Sequence, residues 1–201
     1  MATRHDPRTD RSPVNIMTVC SANLVRSVLA GRLLADRLEQ LAPGSFRVSS
    51  SGLRALDGLA APEGVRAITR AYGVDVTDHR SHRTRDIDLA AMDTVLTASS
   101  AQRDEIVFRR PALLARAFTV REFARAVSPP ITGGGELQVR WQAMVGAAHV
   151  GRWRSVPADR DDDDIPDPLG RSGADAYCET ERLVVSSLAS VLRALDDDAP
   201  R

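Results

Sequence analysis

Short apolar runs rich in β-branched residues alternate along this chain with longer stretches of helical period. No other feature constrains the fold as strongly. Residues 15–19 (Asn-Ile-Met-Thr-Val) read as a buried strand. Residues 27–41 follow as a helix, with Ala30, Leu33, Leu34, Leu38 and Leu41 on one face and Pro43-Gly44 as its end. Residues 46–49 form a second strand candidate. Residues 62–72 form a second helix, with Val65, Ile68 and Tyr72 turned inward and Gly73 as its stop. Residues 94–97 read as a third strand, followed by a helix through about Phe108, and residues 117–120 as a fourth. Helices are expected from Glu136 to about Val150 and from about Ala174 to Leu195. This order predicts an α/β fold in which a four-stranded parallel sheet is covered by helices on both faces. In such sheets the site lies beyond the carboxyl ends of the strands, which points to the turn after Val19.

The chain is long enough for one domain with a substantial core. We expect a disordered lead-in over residues 1–13, a domain over 14–196 and a tail over 197–201. The stretch 128–164 is read as an elaborated connection, Pro- and Gly-rich at its start and acidic at its end. The formal net charge is zero, with all 27 basic residues arginine, so nothing argues for nucleic acid as a partner. No run is apolar and long enough for membrane insertion. Two cysteines, Cys20 and Cys178, are too few for a disulfide framework and fit the reducing cytoplasm.

The turn itself reads Cys20-Ser21-Ala22-Asn23-Leu24-Val25-Arg26-Ser27. Five residues between cysteine and arginine let successive N–H groups curl inward at the positive end of a helix, which makes an anion nest. Arg26 can grip two phosphate oxygens as a fork. The same positive surroundings favour a thiolate at Cys20, to which the Ser27 hydroxyl can donate. Asn23 is the residue best suited to a left-handed conformation. Cys20 as an inert core thiol is the competing reading.

This loop resembles the signature of the low-molecular-weight protein tyrosine phosphatases, Cys-x-x-Asn-x-x-Arg-Ser, close to the N-terminus. The segments Val48-Ser49-Ser50-Ser51-Gly52, Tyr72-Gly73-Val74-Asp75 with His79, Asp93 to Thr97, and Ile165-Pro166-Asp167-Pro168 extend the resemblance. Residues 118–125 and the acidic run look like an actinobacterial branch. The resemblance implies a three-layer, flavodoxin-like architecture and a phosphocysteine mechanism without metal or cofactor. Cys20 would be the nucleophile and Asp167 the general acid and base. Arg26 and the amides of Ser21, Ala22, Asn23, Leu24 and Val25 would bind phosphate. Ser27, Ser50 and His79 would hold Asn23. The implied partner is a tyrosine-phosphorylated protein, with a bacterial tyrosine kinase of polysaccharide assembly as an example.

The chain departs from the family in places. Val25 stands where many members carry a second cysteine, Ala22 where glycine is usual, and Ser99 where aspartate is common. Leu24, Leu56 and Leu169 are expected to wall an apolar slot without aromatic stacking. Cys178 is expected in the core. Asp164, at the end of the acidic run, is a second candidate acid. Leu24 disfavours an arginine phosphatase, where threonine is typical at that position. An arsenate reductase using an external small thiol and a non-catalytic phosphoprotein-binding module are the alternative functions.

Overall fold

Strand β1 (Val14–Cys20) lies inside a four-stranded sheet of order β2-β1-β3-β4, with β2 (Phe46–Gly52), β3 (Thr94–Thr97) and β4 (Ala117–Thr119) all parallel to their neighbours. The computed structural model describes residues 12–127, 136–152, 157, 159–169 and 174–196. Most of the expected lead-in (residues 1–11), the Pro- and Gly-rich stretch 128–135 and the tail 197–201 lie outside the described residues.

The pleat of the strands sorts their side chains into two cores. Val14, Ile16, Leu96 and Phe118 face one layer, where α1 (Arg26–Leu41), α5 (Val120–Ala126), α6 (Leu137–Gly151) and α7 (Ala174–Leu195) pack. Met17, Val19, Val95 and Ala117 face the other, against Leu89 of α3 (Asp86–Ala90) and Ile106 of α4 (Ser100–Arg109). A smaller cluster joins Val25 and Val28 to Val65 of α2 (Glu63–Ala71), with Ala61 and Val76. Helices on both faces of a parallel sheet are the expected architecture, and β1 and β3, paired on both sides, are buried along almost their whole length.

Four local expectations need correction. Residue 120 does not extend β4. Thr119 accepts from the Glu122 amide at 2.9 Å while Glu122 accepts from Thr119, and this capping box starts α5 without an intervening loop. The short helix α3 adds an element that the periodicity does not show. Tyr72 points outward, because α2 ends at Ala71 and Gly73 (φ 75°) turns the chain away; the tyrosine hydroxyl donates to Glu181 at 2.8 Å, and Thr69 takes the buried place. Cys178 is exposed. The inward face of α7 is set by Ala176, Thr180, Leu183, Val184 and Leu188, and a residue two places from Ala176 and Thr180 falls on the opposite side.

The helical part of the 128–164 connection is a wall of the core. Trp141 of α6 is fully buried between Phe46 and Phe123, with ring centroids 5.8 and 5.5 Å away. Its Nε1 donates to Thr94 Oγ1 at 2.9 Å, so the one polar atom of the indole is satisfied.

Candidate active site

Cys20 closes β1 at the carboxyl edge of the sheet, and Arg26 opens α1. Cys20 is 2 % exposed. The Ser27 hydroxyl lies 3.1 Å from Cys20 Sγ, and the Asn23 amide donates to the same sulfur at 3.3 Å. Asn23 Nδ2 donates to Ser27 Oγ at 3.1 Å, which leaves the serine hydrogen free to point at the sulfur.

Asn23 has φ 54°, the one positive value among the described non-glycine residues, so Ala22 fits the loop without left-handed strain. Every polar group of this buried side chain is engaged. Nδ2 also donates to Ser50 Oγ at 2.9 Å, and Oδ1 accepts from the His82 amide at 3.0 Å. Its main-chain carbonyl accepts from His79 Nε2 at 2.9 Å. Ser27, Ser50 and His79 thus all meet Asn23, the histidine through the backbone. Burial pushes the His79 imidazole below its ordinary value; the bond to Asn23 opposes this, while Arg32 and His82 add to it.

Glycine at position 52 is a steric requirement of this loop. Gly52 pairs with Cys20 across β1 and β2. A Cβ there would stand 2.6 Å from the Ser21 carbonyl oxygen and 2.7 Å from the Asn23 nitrogen. Leu53 and Arg54 then donate to the carbonyls of Cys20 and Ser21, both at 2.9 Å. The loop therefore lies flat on the end of β2.

Arg26 is 7 % exposed and held from the other side of the site. Its NH1 donates to the Ile165 carbonyl at 3.2 Å, and its NH2 pairs with Asp167 Oδ2. Asp167 Oδ1 accepts from the Leu169 amide at 3.1 Å, so both carboxylate oxygens have partners. Asp164, the other candidate acid, is turned toward α4, where its Oδ1 accepts from the amide and hydroxyl of Ser100.

The expected apolar walls are looser than anticipated. Leu24 is half-buried against the Val25, Val28 and Val65 cluster. Leu56 is 73 % exposed and Leu169 39 %, so neither is fixed by packing. Among the described residues no group of three or more His, Cys, Asp or Glu side chains is placed to hold a metal ion.

Sequence reasoning passed over Gln102. Its Nε2 donates to Ser21 Oγ at 3.0 Å while its Oε1 accepts from the amides of Ala98 and Ser99. A signal was present: Ser99-x-x-Gln102 after a strand is a capping box, and the structure forms it. The reach to Ser21 had no such signal, since it spans 81 residues.

The model of the family described as low molecular weight phosphotyrosine protein phosphatase matches residues 15–130, more than half of the chain and the whole of the cysteine loop. A probable low molecular weight protein-tyrosine-phosphatase, EpsP, of Ralstonia nicotianae is 32% identical over 107 residues, 53% of this chain and 70% of that protein. A protein-arginine-phosphatase of Geobacillus stearothermophilus is 30% identical over 129 residues, 63% of this chain and 84% of that protein. Among solved structures, a low molecular weight protein tyrosine phosphatase from T. tengcongensis superposes with a TM-score of 0.65 at 21% identity, covering 90% of this chain and 98% of that one. The last comparison speaks to the fold, which extends past residue 130 to the Asp167 loop and α7.

Proposed function

The chain belongs to the low molecular weight phosphotyrosine protein phosphatase family, and from that premise we propose that it hydrolyses phosphotyrosine through a phosphocysteine on Cys20. The observation that carries the reading is the meeting of Arg26 with Asp167, which puts a carboxyl group beside the guanidinium that opens α1 after the cysteine loop.

In the first step the Cys20 thiolate attacks phosphorus in line with the leaving oxygen. An S–P bond forms as the P–O bond breaks, and Asp167, as the acid, gives its proton to the departing phenolate. In the second step the Asp167 carboxylate takes a proton from water. That water attacks the phosphocysteine, the S–P bond breaks, and the thiolate returns as inorganic phosphate leaves. The transition states are loose, so most of the catalysis is positioning and charge stabilisation by Arg26 and the loop amides. The Ser27 hydroxyl stabilises the sulfur as nucleophile and as leaving group.

A tyrosine-phosphorylated protein is the proposed substrate, and a bacterial tyrosine kinase is one protein of that class. Phosphoarginine is the rival substrate, because one relative carries the name of an arginine phosphatase. Leu24 argues against it: an aliphatic side chain offers no hydrogen bond to a guanidinium and suits a phenyl ring better. We place the protein in the cytoplasm, where an unpaired reactive thiol and the exposed Cys178 stay reduced. Among the described residues no helix is long and apolar enough to cross a membrane.

Replacement Cys20→Ser tests the reading. It should abolish hydrolysis of phenyl phosphate and leave binding of a phosphotyrosine peptide in place; retained turnover removes Cys20 from the chemistry. A panel of phosphotyrosine, phosphoserine, phosphoarginine and arsenate with a small thiol should rank phosphotyrosine first. Arsenate reduction without phosphatase turnover would assign the loop to the alternative chemistry.

A further inference from the structure

The thiol loop and the acid loop are fastened to the same five residues. On one side, Gln102 of α4 donates to Ser21, the residue after Cys20, at 3.0 Å. On the other, the Ser100 amide and hydroxyl both donate to Asp164 Oδ1, at 2.7 and 2.9 Å. The Ile165 amide donates to the Ala98 carbonyl at 2.8 Å, so the chain entering the acid loop is pinned at two successive residues. Arg121 of α5 donates to the Asp164 carbonyl at 3.1 Å, and Arg125 pairs with buried Asp163 at 2.5 Å. Asp167 follows Asp164 by three residues, and Thr180 of α7 donates to the Pro166 carbonyl between them at 3.1 Å.

We propose that Asp164 is the positioning residue for the acid, and that Gln102 positions the phosphate loop from the same helix terminus. The proposal rests on the reading of Asp167 as general acid. Proton transfer needs the donor oxygen within about 3 Å of the leaving oxygen, and a displacement of about 1 Å costs roughly 100-fold in rate. Residues 98–102 fix the spacing between sulfur and acid because both loops bond to one rigid turn. Asp164 is chemically fitted to anchor the acid loop, since its charge strengthens two hydrogen bonds at the positive end of α4. The acidic run thereby gains a purpose that its composition did not disclose. Its last member anchors, the one before it pairs with Arg125, and the proton belongs to Asp167 beyond them.

Leaving-group dependence separates positioning from general stability. Asp164→Ala should lower turnover of phenyl phosphate, a poor leaving group, about 10- to 100-fold, a fraction of what an acid supplies. Turnover of an activated nitrophenyl ester should change less than about threefold, and inhibition by inorganic phosphate should hold. Asp164→Asn keeps an oxygen for Ser100 and should restore most of the phenyl phosphate rate. Gln102→Ala should weaken inhibition by inorganic phosphate several-fold and reduce both esters alike. Equal losses on both esters in Asp164→Ala, or no loss on either, overturn the proposal, as does failure of Asp164→Asn to rescue at wild-type melting temperature. Asp167→Ala in the same series distinguishes the two failures. If it shows leaving-group dependence and Asp164→Ala does not, the positioning role alone is wrong; if it shows none, the acid assignment falls and this proposal with it.

Discussion

Arg26 and Asp167 stand 141 residues apart in the chain and form an ion pair at the heart of the site. The guanidinium is almost wholly buried, whereas the carboxylate keeps about a third of its surface open at 37 %. On the proposed mechanism a phosphate dianion entering the loop competes with Asp167 for the Arg26 guanidinium. Asp167→Asn removes the competing charge, so inhibition by inorganic phosphate should hold or tighten. Turnover of phenyl phosphate should fall about 10²- to 10⁴-fold, the usual worth of a general acid. Weaker phosphate inhibition in this variant would show that the carboxylate helps to hold Arg26 in its binding position.

Ser27 faces both the sulfur and Asn23. On the proposed mechanism Ser27→Ala takes away a hydrogen bond to the attacking sulfur, worth about 1.5–3 kcal/mol where the partner is charged. Turnover should drop about 10- to 100-fold, with Ser27→Thr recovering part of it. Single-turnover kinetics should place the loss in both formation and breakdown of the phosphocysteine; an unchanged rate would free the sulfur from this hydroxyl.

Gly52 carries the loop on its bare backbone. Gly52→Ala puts a methyl group against main-chain atoms that cannot step aside, so overpacking should cost about 1–3 kcal/mol. Turnover should fall with it, because the displaced atoms belong to Ser21 and Asn23. Gly31→Ala is the comparison: there the nearest obstacle is a side-chain hydroxyl, Thr18 Oγ1 at 2.6 Å, which donates to the Ser27 carbonyl. Urea melts beside phenyl phosphate assays would separate the two; unaltered stability and rate in Gly52→Ala would contradict the steric account.

His79 links pH to the stability of the loop. Its folded imidazole binds a proton less readily than the unfolded chain does, chiefly because it is buried. Above the unfolded value near 6.5 both states are neutral and His79 adds no pH dependence. As pH falls below that point the unfolded chain takes up a proton that the folded chain resists, so stability declines. Denaturant midpoints between pH 7.5 and 5 should slope downward with acid, and His79→Gln should flatten part of that slope. A slope identical in the variant would assign it to other groups.

Trp141 tests whether α6 belongs to the core. Trp141→Ala should cost about 3–5 kcal/mol and leave kcat at low temperature nearly unchanged, since the indole's partners are Thr94, Phe46 and Phe123 and none of them belongs to the thiol loop. A small effect on the urea midpoint would mean that the helix is an appendage.

The alternation of strands and helices and the cysteine loop are legible in the chain because both are local, whereas the strand order β2-β1-β3-β4 is a product of folding. Alternating strands and amphipathic helices write their period directly into the chain, and a strand, a five-residue turn and a helix set Cys20 and Arg26 at the two ends of the loop. Elements whose start depends on a cap are harder to read: apolar residue 120 looks like strand until Thr119 and Glu122 close a box around the first turn of α5. Tyr72 and Cys178 mislead for a related reason. Tyr72 falls just beyond the end of α2 and Cys178 on the outer side of α7, and in each the neighbouring element decides which side is inside.

By itself the sequence determined the turn from Cys20 to Arg26, since a strand, five residues and a helix leave a thiol at one end and a guanidinium at the other. Only the tertiary structure decided which aspartate meets Arg26. Five acidic side chains lie between residues 161 and 167, chemically alike along the chain. Folding turned Asp163 to Arg125, Asp164 to Ser100 and Asp167 to Arg26, and a carboxyl group takes its role from the partner that folding sets beside it.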